Sequence, residues 1–91
     1  MVHGGPKNMY YTYLLLLSNN KIYAGYSADL KIRIREHSQG KVKSTKNYRP
    51  LQLIFYEAFI SQKDAERREK YFKSNKGKKM IKVILKEYFS S

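Results

Sequence analysis

Ninety-one residues make one small domain, and 42% hydrophobic with 14% aromatic residues is too apolar for a disordered tail. Nineteen Lys and Arg against seven Asp and Glu leave a formal charge of +12, which excludes an acidic solubiliser and points to a polyanionic partner. With no cysteine and two histidines, disulfide scaffolds, thiolate zinc sites, cysteine nucleophiles and a histidine-built metal cage are excluded.

Residues 1–8 contain Gly4, Gly5 and Pro6 and no apolar stretch; they read as a flexible leader rather than a signal peptide. A single domain is expected over residues 9–88. The longest unbroken apolar run, residues 13–17, is far short of the ~20 needed to cross a bilayer. A soluble, cytoplasmic protein without membrane contact is the expectation.

Residues 9–17 are aromatic and aliphatic, as in a strand buried on both faces. Ser18-Asn19-Asn20-Lys21 is turn chemistry, and residues 22–26 form a second β-prone run, so a hairpin with a loop of about four residues is predicted. In residues 27–40, Leu30, Ile32 and Ile34 alternate with Lys31, Arg33 and Arg35, a strand pattern. Against it, Ser27 or Asp29 suits a helix N-cap, Gly40 a C′ position and His37 the last turn, so a helix is predicted. On that helix Leu30, Arg33, Ile34 and His37 share one stripe, and Ile32 lies opposite.

A third strand is expected over residues 51–58. Ser61 followed by Asp64 resembles a capping box opening a helix to about residue 74. A last helix over residues 78–88 would gather Met80, Ile81, Ile84 and Tyr88 on an apolar face. The order β-β-α-β-α-α belongs to the α/β class in its α+β form, a three-stranded, mainly antiparallel sheet flanked by helices.

Two basic segments stand out as loops: Lys41, Lys43, Lys46 and Arg49, with Ser44, Thr45, Asn47 and Tyr48 among them, and Lys73, Lys76, Lys78 and Lys79 around Gly77. Both suit nucleic-acid phosphates; the alternative is solvated charge. Neither zinc-finger nor RNP nor GXXG patterns are present.

Ala65, Arg68, Glu69 and Phe72 share a helical stripe, so the Glu69 carboxylate needs a cation. That cation is Mg²⁺ or an arginine, Arg33 or Arg68, and spacing alone favours the arginine. Arg33 and His37, one turn apart, suit holding a phosphoryl group and moving a proton; a snorkelling Arg and a helix-end His are the plainer alternative. Of nine tyrosines, Tyr10, Tyr11, Tyr13, Tyr23 and Tyr26 crowd the hairpin, most for packing.

Tyr11-Thr12-Tyr13, Tyr23-Ala24-Gly25 and residues 29–37 (DLKIRIREH) resemble the GIY-YIG nuclease superfamily. Residues 43–46 (KSTK), 55–59 (FYEAF), 65–71 (AERREKY) and 73–78 (KSNKGK) are similar to its small stand-alone bacterial branch, also called excinuclease-C-domain-like. The resemblance spans residues 9–86. It implies the same sheet flanked by helices, and Mg²⁺- or Mn²⁺-dependent cleavage of DNA phosphodiesters. Tyr13 and Tyr23 fall on the motif tyrosines, and Gly25 on the motif glycine, where close backbone packing would account for the missing side chain. Arg33 and His37 fall on the helix arginine and histidine, and Glu69 on the metal-binding glutamate. Tyr11 replaces a glycine, Ala24 a larger aliphatic residue and Ile32 a basic residue; Asn75 is the nearest match to a family asparagine.

The resemblance thus implies in-line attack of water on phosphorus, leaving a 5′-phosphate and a 3′-hydroxyl. Either Tyr13 or Tyr23 would be the base, His37 would relay the proton or position the tyrosine, and one Mg²⁺ or Mn²⁺ on Glu69 would share charge stabilisation with Arg33. DNA is the expected substrate, with RNA a further candidate, and DNA repair or processing the expected setting. Two rival readings are a non-catalytic nucleic-acid-binding module and a subunit whose specificity comes from a partner protein.

Overall fold

The computed structural model describes residues 8–91; residues 1–7 of the expected leader lie outside the described residues. The elements are β1 (Tyr10–Leu16), β2 (Ile22–Ser27), α1 (Leu30–Ser38), a single 3-10 turn (Lys46–Tyr48), β3 (Gln52–Phe59), α2 (Gln62–Lys73), α3 (Asn75–Ile84) and α4 (Lys86–Ser90). The sheet order is β2-β1-β3 with both pairings antiparallel, so the chain has the α/β fold expected, with a short α4 added.

β1 lies in the centre, which explains its unbroken apolar composition: it packs on both faces. Leu14 points to one side with Ala24, Phe72 and Ile81, beneath α2 and α3. Tyr13, Leu15 and Leu17 point to the other and meet Leu30 and Ile34 of α1. A bulge opposite Leu14 and Leu15 skips Ile54, so Phe55 faces the first core and Leu53 the second. Thr12, buried on the α2 side, donates its hydroxyl to the Ala65 carbonyl at 2.6 Å and ties β1 to α2.

The hairpin turn is a three-residue loop closed by Leu17 N–H to the Lys21 carbonyl. Asn20 takes a left-handed φ of 66°, as asparagine tolerates. In α1 the caps overrule the alternation: Asp29 accepts from Ile32 N–H at 3.1 Å. Gly40, at φ 76°, closes a Schellman motif in which its N–H reaches His37 O and Lys41 N–H reaches Glu36 O. Ile32 is 49% exposed, as the helical stripe requires.

Three expectations are corrected. The Ser61 side chain makes no capping hydrogen bond, so the capping box does not form. The last helix starts at Asn75, because Ser74 Oγ accepts from Gly77 N–H at 3.1 Å and caps it there. It also breaks at Leu85, leaving Met80 and Tyr88 exposed and Ile81 as its buried anchor. Among the described residues no helix is long and apolar enough to cross a membrane.

Candidate active site

Tyr13 and Gly25 are cross-strand partners on β1 and β2. A Cβ on Gly25 would lie 2.3 Å from Tyr13 Cζ and Oη, so the phenol ring occupies the space a side chain would take. The sequence reading assigned that space to backbone packing; the approaching group is an aromatic side chain instead.

The Tyr13 hydroxyl lies 2.8 Å from His37 Nε2, and His37 Nδ1 lies 2.7 Å from Thr45 Oγ1. All three residues are at most 1% exposed. Tyr23 sets its ring edge-on to His37 at 5.3 Å and tilts against Tyr13 at 6.5 Å. Arg33, one helical turn before His37, pairs with Glu36 at 3.1 Å.

Burial pushes the Tyr13 hydroxyl up to about 12; the Arg33 guanidinium opposes this, while the charges of Tyr23 and Glu69 add to it. Burial, helped by Arg33 and opposed by Glu36, brings His37 down to about 4. His37 is therefore a neutral ring at pH 7. Its position in the last turn of α1 does not make it the charged helix-end histidine that the plainer sequence reading offered.

That shift has a stability consequence. Between pH 6.5 and about 4 the unfolded chain holds a proton on His37 that the folded chain does not. Stability from this group is thus complete above pH 6.5 and falls as pH drops towards 4, by about 3 kcal/mol at most. Denaturant titrations at several pH values should show this loss, and His37→Gln should flatten it. An NMR titration placing the ring near its ordinary 6.5 would contradict it.

Glu69 projects from α2, 23% exposed at its side chain, and pairs with Lys73 at 3.1 Å. Neither arginine offered as its partner takes that place. Arg33 goes to Glu36, and Arg68 grips Glu57 at 2.7 and 3.2 Å while stacking over Phe72. Among the described residues no three His, Asp or Glu gather as a metal cage. A lone carboxylate whose only ion-pair partner among them is a flexible lysine does fit an ion such as Mg²⁺, which takes one or two carboxylates and fills its other positions with water and phosphate oxygens.

The basic residues divide. Lys41, Lys43 and Lys46 are exposed. Arg49 folds back to donate to the Lys46 and Ser38 carbonyls, over Gly40, and so stiffens the end of α1. Thr45, read from the sequence as a phosphate-facing loop residue, is buried on His37 instead. Lys76, Lys78 and Lys79 lie on the first turns of α3 rather than in a loop, with Asn75 exposed at its start. The role of Thr45 beside His37 depends on a contact eight positions away, which composition and spacing do not show.

Tyr13, Tyr23, Arg33, His37 and Glu69 are the residues that the resemblance expected on the motif positions, and the fold sets the first four around His37 and Tyr13 with Glu69 on α2. A family model described as the GIY-YIG catalytic domain matches residues 9–82, and the chain belongs to that family. Among its relatives, a UPF0213 protein from Pediococcus pentosaceus is 38% identical over 84 residues, covering 91% of this chain and 88% of that protein. The UPF0213 protein YazA of Bacillus subtilis is 41% identical over 73 residues, covering 79% and 74%. The solution NMR structure of the UPF0213 protein BH0048 from Bacillus halodurans superimposes with a TM-score of 0.55 at 32% identity, covering 84% of each chain.

Proposed function

We propose that this chain is a metal-dependent DNA endonuclease that hydrolyses phosphodiester bonds in DNA repair or processing. The observation that carries this reading is the buried Tyr13–His37–Thr45 hydrogen-bonded chain, with the charges of Arg33 and Glu69 both felt at the Tyr13 hydroxyl.

Glu69 would hold one Mg²⁺ or Mn²⁺, whose positive charge, when bound, stabilises the extra negative charge on phosphorus and on the leaving oxygen. Arg33 binds a non-bridging phosphate oxygen and shares that stabilisation. Tyr13 is enclosed and engaged by His37, whereas Tyr23 is only half-buried. Tyr23 is therefore the tyrosine that meets the attacking water, and Tyr13 holds the geometry behind it.

His37 bridges two hydroxyls, with Nε2 on Tyr13 Oη and Nδ1 on Thr45 Oγ1, and as a neutral ring it donates to one and accepts from the other. A ring that protonates only near pH 4 is a poor proton relay at neutral pH. Positioning the tyrosine is thus the favoured one of its two expected roles.

The test is cleavage of labelled duplex, single-stranded and branched DNA with Mg²⁺, Mn²⁺ or EDTA, wild type beside Glu69→Gln. Metal-dependent cutting that drops at least ~100-fold in the variant, with binding retained, is the expected result. Cutting that survives in highly purified Glu69→Gln would sink the assignment. One observation favours a non-catalytic binding module: Lys73 already neutralises Glu69. That reading predicts salt-sensitive binding indifferent to Mg²⁺ and to Glu69.

A further inference from the structure

β2 is an edge strand, and beside it a cavity of about 730 Å³ opens between its start and helices α2, α3 and α4. Four of its lining residues are lysines, Lys21, Lys73, Lys78 and Lys82, and none is acidic. Tyr23 and Phe89 line it as well; the Phe89 ring is exposed, while the Tyr23 ring turns to the other face of the sheet, against Tyr13 and His37. Below them the wall is apolar core, with Phe72 and Ile81.

Each half of this composition excludes a simpler ligand. A duplex hides the faces of its bases and presents phosphates, for which an aromatic, apolar wall is useless. An uncharged apolar ligand has no use for four ammonium groups. Unstacked bases joined by phosphates use both, through stacking on rings and pairing with lysines. Two of its lining residues also contact the candidate active site: Tyr23, whose ring lies edge-on to His37, and Lys73, whose ammonium pairs with Glu69.

We propose that this groove binds a single-stranded stretch of nucleic acid adjoining the scissile bond, so that the preferred substrate is single-stranded or splayed at that point. The bases rest on Phe89, and Lys21, Lys78 and Lys82 take the phosphates. The location beside a cleavage site rests on the nuclease reading above; the binding itself does not.

The test is therefore made in EDTA, by fluorescence anisotropy, with a thymidine oligonucleotide of about ten nucleotides and a duplex of the same length. The Lys78→Gln, Lys82→Gln double variant should lose about tenfold in affinity for the single strand. Its slope of log K against log salt should flatten by about 1.4, two phosphate contacts at ~0.7 each. Phe89→Ala should lose about fivefold on the single strand, and duplex binding should change less than about twofold in either variant.

Equal losses on both DNAs would reduce the groove to general surface charge and overturn the proposal, as would no loss on either. So would polyglutamate competing as well as the thymidine oligomer, which would indicate an acidic peptide site. Because no cutting is needed, this result stands apart from the fate of Glu69. Cleavage of fully paired duplex as fast as of splayed DNA would end the groove proposal and leave the nuclease intact.

Discussion

Gly77→Ala is expected to destabilise the chain by at least ~3 kcal/mol, a large part of the ~5–14 kcal/mol available to a domain of this size. An added Cβ would fall 1.7 Å from the Tyr71 carbonyl oxygen and 2.7 Å from Phe72 Cα. Both are backbone atoms of the last turn of α2, so no rotamer change relieves the clash. The helices would have to part, and α3 would draw Ile81 away from Leu14, Ala24 and Phe72. The gain in helix propensity from glycine to alanine, ~1 kcal/mol, runs the other way and is too small. A drop in Tm of roughly 12–24 °C, or failure to fold, is the expected readout. Lys79→Ala on the same helix should stay within ~0.5 kcal/mol of wild type. A Gly77→Ala protein as stable as wild type would show that the two helices do not meet as described.

Gly25→Ala should cost less stability, about 1–3 kcal/mol, but most of any catalytic activity. Here the clash is with the far end of a side chain, and the ring can move. It cannot move without leaving His37 Nε2, however, because it is enclosed and has its hydrogen bond there. A misplacement of ~1 Å passed on from such a positioning residue to the reacting groups costs on the order of 100-fold in rate. The variant should therefore fold and bind DNA, cut at least ~100-fold more slowly, and show a displaced His37 ring signal by NMR. Unchanged His37 resonances would mean that the ring finds another place without disturbing the site.

Much of the fold could be read from residues acting locally. The caps at Asp29 and Gly40 outweighed the strand-like alternation of Leu30, Ile32 and Ile34, because a helix needs its ends satisfied while one exposed isoleucine costs little. The apolar run of β1 announced a central strand. Contacts between distant residues were illegible. Spacing placed Glu69, Arg68 and Arg33 within plausible reach of one another but could not show that Glu57, on β3, takes Arg68 first. The same holds for Thr45, where a loop residue among lysines looked solvated. At Gly77 a helix-capping serine three residues earlier was mistaken for loop composition. Tyr13, Tyr23, Arg33, His37 and Glu69 came as a set through the family motif, not through any local rule.

The lysine loop after α1 is not free to wander. Val42 and Thr45 are both buried, the latter on His37, and Arg49 clasps the loop's two ends from outside. Lys41, Lys43 and Lys46 thus project from a backbone whose shape is already set in the unbound protein. Meeting a polyanion would freeze side chains but little main chain, so the ordering penalty is small. The calorimetric signature of that contact should accordingly be dominated by favourable entropy from released counterions, and should fade as salt is added.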